Sequence, residues 1–217
     1  MVKMETFESR EDWLKGRHRI GGSDASAVLG LNPWVTNAEL FQIKTGSLKK
    51  EDISDKAVVK FGIEAEPLMR ELFKLDYPQY RVDYVENNLW TNSKFEFAHA
   101  SLDGWLTDPN GRKGIWECKT VNILQAGQTE KWKDAIPNYY YCQLLHYFLV
   151  TEFEFAILKA RLRWEAREDK EVYCQIKHYK IERSEVEEDI ALLAEAEEKF
   201  YKSVQENKRP DLILPEI

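Results

Sequence analysis

Long apolar runs are missing from this 217-residue chain. No window approaches the roughly 18 apolar residues that suggest a membrane span, so none is expected. The opening stretch from Met1 to Trp13 has no apolar segment behind its charges. A secretory leader is therefore not expected, and the reading is a cytoplasmic protein. Cysteine is scarce. Cys118, Cys142 and Cys174 stand apart without a CxxC pair. That argues against a disulfide framework, a zinc site and an iron–sulfur cluster. Reduced, mostly buried thiols are the expectation. His18, His99, His146 and His178 form no ligand pattern either, and read as surface or core side chains. A basic excess is also absent. The net charge is −7, which is awkward for a partner rich in phosphate. Internal repeats, low-complexity segments and linkers are missing as well.

What is present suits one soluble domain. Hydrophobic residues make up 43% and charged residues 32%, enough for a normal core and surface. The charge is unevenly spread. Acidic residues crowd between Glu182 and Glu198. Basic residues gather at Lys15, Arg17 and Arg19, at Lys49 and Lys50, at Arg112 and Lys113, at Lys131 and Lys133, and at Arg161 and Arg163. The local field, not the sum, decides what a surface attracts. Carboxylates that hold cations also inflate the formal negative charge.

Periodicity divides the chain. Ser9 is placed to cap a short helix carrying Trp13 and Leu14. Asp24 or Ser23 caps another through Val28, stopped by Gly30. A third follows Thr36 and ends at Gly46. Ser54 to about Lys74 reads as a longer helix, with Val58, Phe61, Ala65, Leu68, Leu72 and Phe73 at helical spacing. Strands are expected at Tyr80–Val85, Leu89–Trp90, Phe97–Leu106 and Gly114–Val121. Asp108-Pro109-Asn110-Gly111 suits a type I turn, so 97–121 reads as a hairpin. A helix follows Pro137, then strands at about Glu154–Trp164 and Glu171–Lys180. Ser184 with Glu187 has the form of a capping box and opens a last amphipathic helix to about Lys208. Ile190, Leu193 and Phe200 should face inward, with the acidic face solvated or used as a subunit contact. Helices, strands, helix, strands and helix together predict a central mixed sheet flanked by helices.

The hairpin carries the chemistry. Side chains alternate along a strand, so Glu117 and Lys119 share a face and Cys118 takes the other. Asp103, at the end of the preceding strand, can lie beside them. Two carboxylates and an ammonium on one face suit Mg²⁺ and phosphodiester hydrolysis. A salt-bridge ladder across the hairpin is the plainer alternative. Leu102, Trp105, Ile115 and Trp116 argue for a mostly buried hairpin instead.

Asp, a turn and then Glu-x-Lys resembles the PD-(D/E)XK nuclease signature. The wider pattern is similar to the YqaJ-like viral recombinase, or phage lambda exonuclease, family. Four blocks from about Trp13 to Tyr147 carry the resemblance in order. They are Trp13-Leu14-Lys15-Gly16-Arg17 with Ile20-Gly21-Gly22-Ser23-Asp24, then Gly62-Ile63-Glu64-Ala65-Glu66, then the hairpin, then Tyr140-Tyr141-Cys142-Gln143. Leu102 stands where the family name writes proline.

The resemblance implies an α/β fold with a restriction-endonuclease-like core over about 54–180. Residues 9–46 would form an N-terminal helical phosphate-binding region of a single 1–217 domain, and about 184–208 a C-terminal helix. It implies a 5′→3′ exonuclease of the alkaline exonuclease type on linear double-stranded DNA, leaving 3′ overhangs for recombination by strand annealing. Asp103, Glu117, Glu66 and the backbone carbonyl of Cys118 would bind Mg²⁺ as a pair of ions, with Mn²⁺ as a substitute. Lys119 resembles the catalytic lysine. Gln143 resembles the glutamine that orients water or that lysine. Glu64 is the neighbour with which Glu66 is most easily confused. Arg17 and Ser23 resemble residues that hold the terminal 5′-phosphate, and Arg19 is the alternative to Arg17. DNA ends, a homotrimeric ring, an annealing protein and a phage or prophage origin in a bacterial cell are implied in the same way. Three rivals stand beside this reading. One is a PD-(D/E)XK endonuclease of restriction or repair type. Another is an iron–sulfur exonuclease, which needs four cysteines where this chain has three. The third is a catalytically silent DNA-binding protein.

Overall fold

The computed structural model describes residues 1–166 and 171–214. The elements are β1 (Val2–Thr6), α1 (Arg10–Gly16), α2 (Gly22–Val28), α3 (Asn37–Lys44), α4 (Ala57–Asp76), β2 (Arg81–Asp83) and β3 (Asn88–Asn92). They continue with β4 (Gly104–Thr107), β5 (Lys113–Asn122), α5 (Ala126–Glu130), α6 (Asn138–Thr151), β6 (Phe155–Glu165), β7 (Val172–Glu182) and α7 (Glu187–Gln205).

Five strands form the central sheet in the order β2-β4-β5-β6-β7. Only β5 and β6 run parallel within it; the other pairs are antiparallel. The sheet is therefore mixed, as the pattern predicts. A parallel pair needs a long crossover, and α5 and α6 supply it. One face of the sheet packs on α6, in a core that joins Ile115, Leu158 and Leu162 to Leu144 and Phe148. The other face packs on α4, where Met69 and Phe73 meet Trp116, Cys118, Phe155 and Ile157. Strand β6 is buried on both faces, which explains its nearly unbroken apolar run. β1 and β3 form a separate two-stranded sheet.

Several local expectations match. Ser9 caps α1 by accepting from the Asp12 N–H at 3.1 Å. Thr36 and Glu39 form a capping box on α3. Gly111 donates to the Asp108 carbonyl at 3.0 Å with φ +82°, closing the expected turn.

Others need correction. β1 and α5 were not expected. The helix α4 begins at Ala57 rather than Ser54. Its buried face is Ala65, Met69, Arg70 and Phe73, while Val58, Phe61, Leu68 and Leu72 are exposed. The expected strand at 97–106 shortens to Gly104–Thr107. Upstream, Ala98 and Ala100 make only isolated bridges, to Ile20 and Trp90. The Asn88 side chain instead satisfies both backbone groups of Leu102, at 2.9 Å each. Neither Ser23 nor Asp24 caps α2. Gly21 is the N-cap, and Asp24 lies in the first turn with its carboxylate accepting the Gly21 N–H at 3.0 Å. Ser184 does not open the last helix. A 3₁₀ turn at Arg183–Glu185 precedes it, and its N-cap is Val186, without a side-chain cap. Ile190, Leu193 and Phe200 do turn inward, but Glu197 joins them, fully buried against His146 at 2.8 Å. Arg112, bound to both Asp108 and Glu182, ties the turn to the sheet edge.

Candidate active site

Asp103 does not end a strand. It immediately precedes β4, whose ladder to β5 starts with Gly104 opposite Trp116. That register sets Asp103 across from Glu117 all the same. Its Oδ2 accepts the Cys118 backbone N–H at 3.0 Å. Alternation along β5 divides the strand as expected. Trp116 and Cys118 sink into the α4-side core, while Glu117 and Lys119 project towards α6.

On that side Glu117 is the hub. It is 1% exposed. Its Oε1 accepts from Lys119 Nζ at 2.6 Å and from Gln143 Nε2 at 3.0 Å. Gln143 Nε2 also donates to the Tyr147 hydroxyl at 2.7 Å. Gln143 and Tyr147 are one helical turn apart, so α6 presents both to the same strand. The other Glu117 oxygen, Oε2, is buried with no hydrogen-bond partner.

Glu66 reaches the site from α4. Arg70, four residues on, donates to Glu66 Oε1 at 3.0 Å and also to the Asp103 carbonyl. Arg70 is 6% exposed and lies over the Tyr84 ring, 3.6 Å from its centroid. Glu64, the other candidate on this helix, is exposed. Sequence reasoning missed Arg70 and Tyr147. The i,i+4 spacing of Glu66 and Arg70 was the available signal for the first.

Crowded carboxylates show in the electrostatics. Burial, then the Asp103 carboxylate, raises Glu117 to about 8. The same two causes raise Glu66 to about 7. Burial alone would lower the Lys119 ammonium, but Glu117 and Asp103 outweigh it and hold it above its ordinary value. Lys119 is thus a charged donor here.

This chemistry fits a hard divalent cation. The donors are carboxylate oxygens, one of them is an orphaned buried oxygen, and negative charge is concentrated. Among the described residues, no three His, Cys, Asp or Glu side chains are already gathered as a cation cage. Two of the carboxylates are engaged elsewhere, Asp103 on the Cys118 N–H and Glu66 on Arg70.

A cleft of about 680 Å³ opens beside this cluster. Lys119, Gln143 and Tyr140 form one wall; Arg17, Ser23 and Lys44 contribute to another. Arg17 lines the cleft and Arg19 does not, which separates those two candidates. Arg17 stacks over Trp13, 4.2 Å from the ring centroid, and its buried Nε has no partner. Ser23, in the first turn of α2, is exposed. Lys44 is bound to Asp24 at 2.6 Å. The second glycine of the GGSD motif has a packing reason. A Cβ on Gly22 would sit 2.5 Å from the Tyr147 ring, so only glycine lets α2 approach α6 this closely.

Residues 12–154 match the YqaJ-like viral recombinase domain. The chain belongs to that family. Protein YqaJ of Bacillus subtilis strain 168 is 33% identical to this YqaJ-like chain over 149 residues, which are 68% of the chain and 44% of that protein. The chain therefore spans less than half the length of that relative. LHK-Exo, an alkaline exonuclease from Laribacter hongkongensis also solved in complex with dAMP, superposes with a TM-score of 0.60. Identity there is 18%, over 92% of this chain and 96% of that one. A phage-related exonuclease from Haemophilus somnus 129PT gives a TM-score of 0.54 at 14% identity, covering 87% of this chain and 96% of that one. The fold of the YqaJ-like chain, a central mixed sheet flanked by helices, is thus shared with these exonucleases.

Proposed function

We propose that the chain is a Mg²⁺-dependent deoxyribonuclease that degrades linear duplex DNA from its ends. The observation that carries this reading is the convergence of Asp103, Glu117, Lys119 and Gln143 across one strand pair and one helix, beside a cleft lined by Arg17 and Ser23. Family membership and exonuclease neighbours support it. The dAMP held by LHK-Exo suits release of mononucleotides.

Asp103, Glu117, Glu66 and the Cys118 carbonyl would hold the cation. When bound, Mg²⁺ supplies a water activated near neutral pH and neutralises phosphate charge. Lys119 donates to the attacked phosphate or to that water. Gln143 holds Glu117 in place, and with Lys119 orders the nucleophile. Arg17 and Ser23 grip the terminal 5′-phosphate, Arg17 as a stacked guanidinium fork. This arrangement favours 5′→3′ digestion that leaves a 3′ single strand for an annealing protein. The fuller proposal includes a homotrimer encircling DNA and a phage or prophage origin, acting in the bacterial cytoplasm.

The test is digestion of linear duplex with Mg²⁺, comparing 5′-phosphate with 5′-hydroxyl ends and with covalently closed circles. Rapid loss of 5′-phosphorylated ends, with circles intact, is expected. Asp103→Ala and Lys119→Ala should each cut the rate by about 10²–10⁴-fold. Cleaved circles would point to an endonuclease. Digestion that survives both substitutions would remove this site from the mechanism.

A further inference from the structure

Trp34 is 69% exposed. Leaving an indole in water forgoes a large burial gain, so the position calls for a reason. The residue is not loosely held. Asn32 Oδ1 accepts the backbone N–H groups of Trp34 and Val35 at 2.9 and 3.0 Å. Asn32 Nδ2 donates to Ser26 Oγ on α2 at 3.0 Å. Pro33 restricts the intervening backbone.

Tyr139 meets the indole edge-on, with centroids 5.0 Å apart and planes at 74°. Tyr139 lies 4.4 Å from Tyr140, and Lys119 Nζ lies 4.9 Å from the Tyr140 centroid. A continuous series of rings therefore leads from the active-site ammonium to the exposed indole. Trp34, Tyr139 and Tyr140 line the same cleft as Arg17, Lys119 and Gln143. Cations beside open aromatic faces are the parts that single-stranded nucleic acid binds: charges for phosphates, rings for bases.

We propose that Trp34 is the platform on which the terminal nucleobase of the incoming strand stacks. It would hold that nucleotide unpaired, with its 5′-phosphate at Arg17 and Ser23 and the scissile phosphate on its 3′ side towards Lys119. The assignment rests on the nuclease reading and adds a substrate-positioning contact to it. Every base has a π-face, so stacking tolerates any sequence, as end-digestion of arbitrary DNA requires. Bracing by Asn32 and Tyr139 sets the indole in place before substrate arrives, which lowers the ordering cost on binding.

The experiment measures binding of the full chain to a short 5′-phosphorylated duplex in EDTA, by anisotropy of a label at the blocked far end. A second duplex is abasic at its terminal nucleotides. Trp34→Ala should weaken binding to the normal end roughly tenfold and leave the abasic end nearly unchanged. Trp34→Phe should retain most of the affinity. Circular dichroism checks that both variants are folded. Unchanged affinity in Trp34→Ala, or equal loss on both ends, overturns the proposal. A changed sedimentation coefficient with unchanged end affinity also overturns it, by assigning the indole to a protein contact. If the unsubstituted protein neither binds nor digests duplex ends, the nuclease reading itself falls, and this one with it.

Discussion

At Glu117, burial and the Asp103 carboxylate act in the same direction, and the carboxyl rises from 4.5 to about 8. The folded state therefore favours the protonated form more than the unfolded chain does. The resulting stability is fully present below about 4.5 and is lost as pH rises through about 8. Glu66, raised to about 7, acts in the same sense. Metal-free protein should melt at falling temperature across that window, and Glu117→Gln should flatten the slope. An unchanged slope in the variant would place the titration elsewhere. Gln143 touches Glu117 rather than closing the site alone. Losing such a supporting hydrogen bond typically costs 10–100-fold in metal affinity or activity. Gln143→Ala should lower initial rates by about that factor, with only about 1 kcal/mol lost in a thermal melt. Asp103, Glu117 and Lys119 were legible because strand alternation and hairpin register are short-range properties. Arg70 and Tyr147 were less so. Their roles depend on where α4 and α6 land against the sheet: Arg70 meets Asp103 across 33 residues, and Tyr147 reaches Glu117 only through Gln143 on α6.

The helix α4 shows how the site sets the packing of an element. Its apolar positions span an arc wider than one buried face, so spacing alone could not choose which part of that arc is buried. The pair Glu66–Arg70 must turn towards Asp103. That rotation buries Ala65, Met69 and Phe73 and leaves Leu68 71% exposed. Phe73 is fully buried and packs with Tyr77, Tyr80 and Trp116. In a chain kept monomeric by dilution, Phe73→Ala should cost about 3–5 kcal/mol, whereas Leu68→Ala should stay within about 0.5 kcal/mol. Urea unfolding of the two variants checks the rotation, since similar losses would contradict it. The two missed elements have a different origin. β1 is mostly exposed and finds its partner β3 more than 80 residues away, and α5 is only five residues long.

At the scale of the molecule, Leu68, Leu72 and Leu75 form an exposed stripe at i, i+4 and i+7 on α4. An apolar stripe rimmed by charge is a common subunit contact, which supports the proposed trimer. Sedimentation should give three times the 25.6 kDa chain mass. Leu68→Glu with Leu75→Glu should shift it towards monomer. A trimer that persists in the double variant would assign the contact to another surface. The net charge of −7 also reads differently once folded. Acidic side chains are concentrated in the metal-type cluster and on α7, while Arg17, Lys44, Lys50 and Lys119 share the cleft. No helix among the described residues is long and apolar enough to cross a membrane.

The amino-acid sequence by itself determined the periodicities. The alternation put Glu117 and Lys119 on one face, Asp108–Gly111 turned the hairpin, and the order of elements required a mixed sheet. These follow from local geometry, which each segment carries alone. Tertiary structure decided which face of α4 is buried, that Arg17 rather than Arg19 lines the cleft, and that Gly21 rather than Ser23 caps α2. It also set an exposed Trp34 beside Tyr139 and buried Glu197 against His146. Those outcomes depend on contacts between distant segments, where packing and the need to pair buried polar groups outweigh local preference.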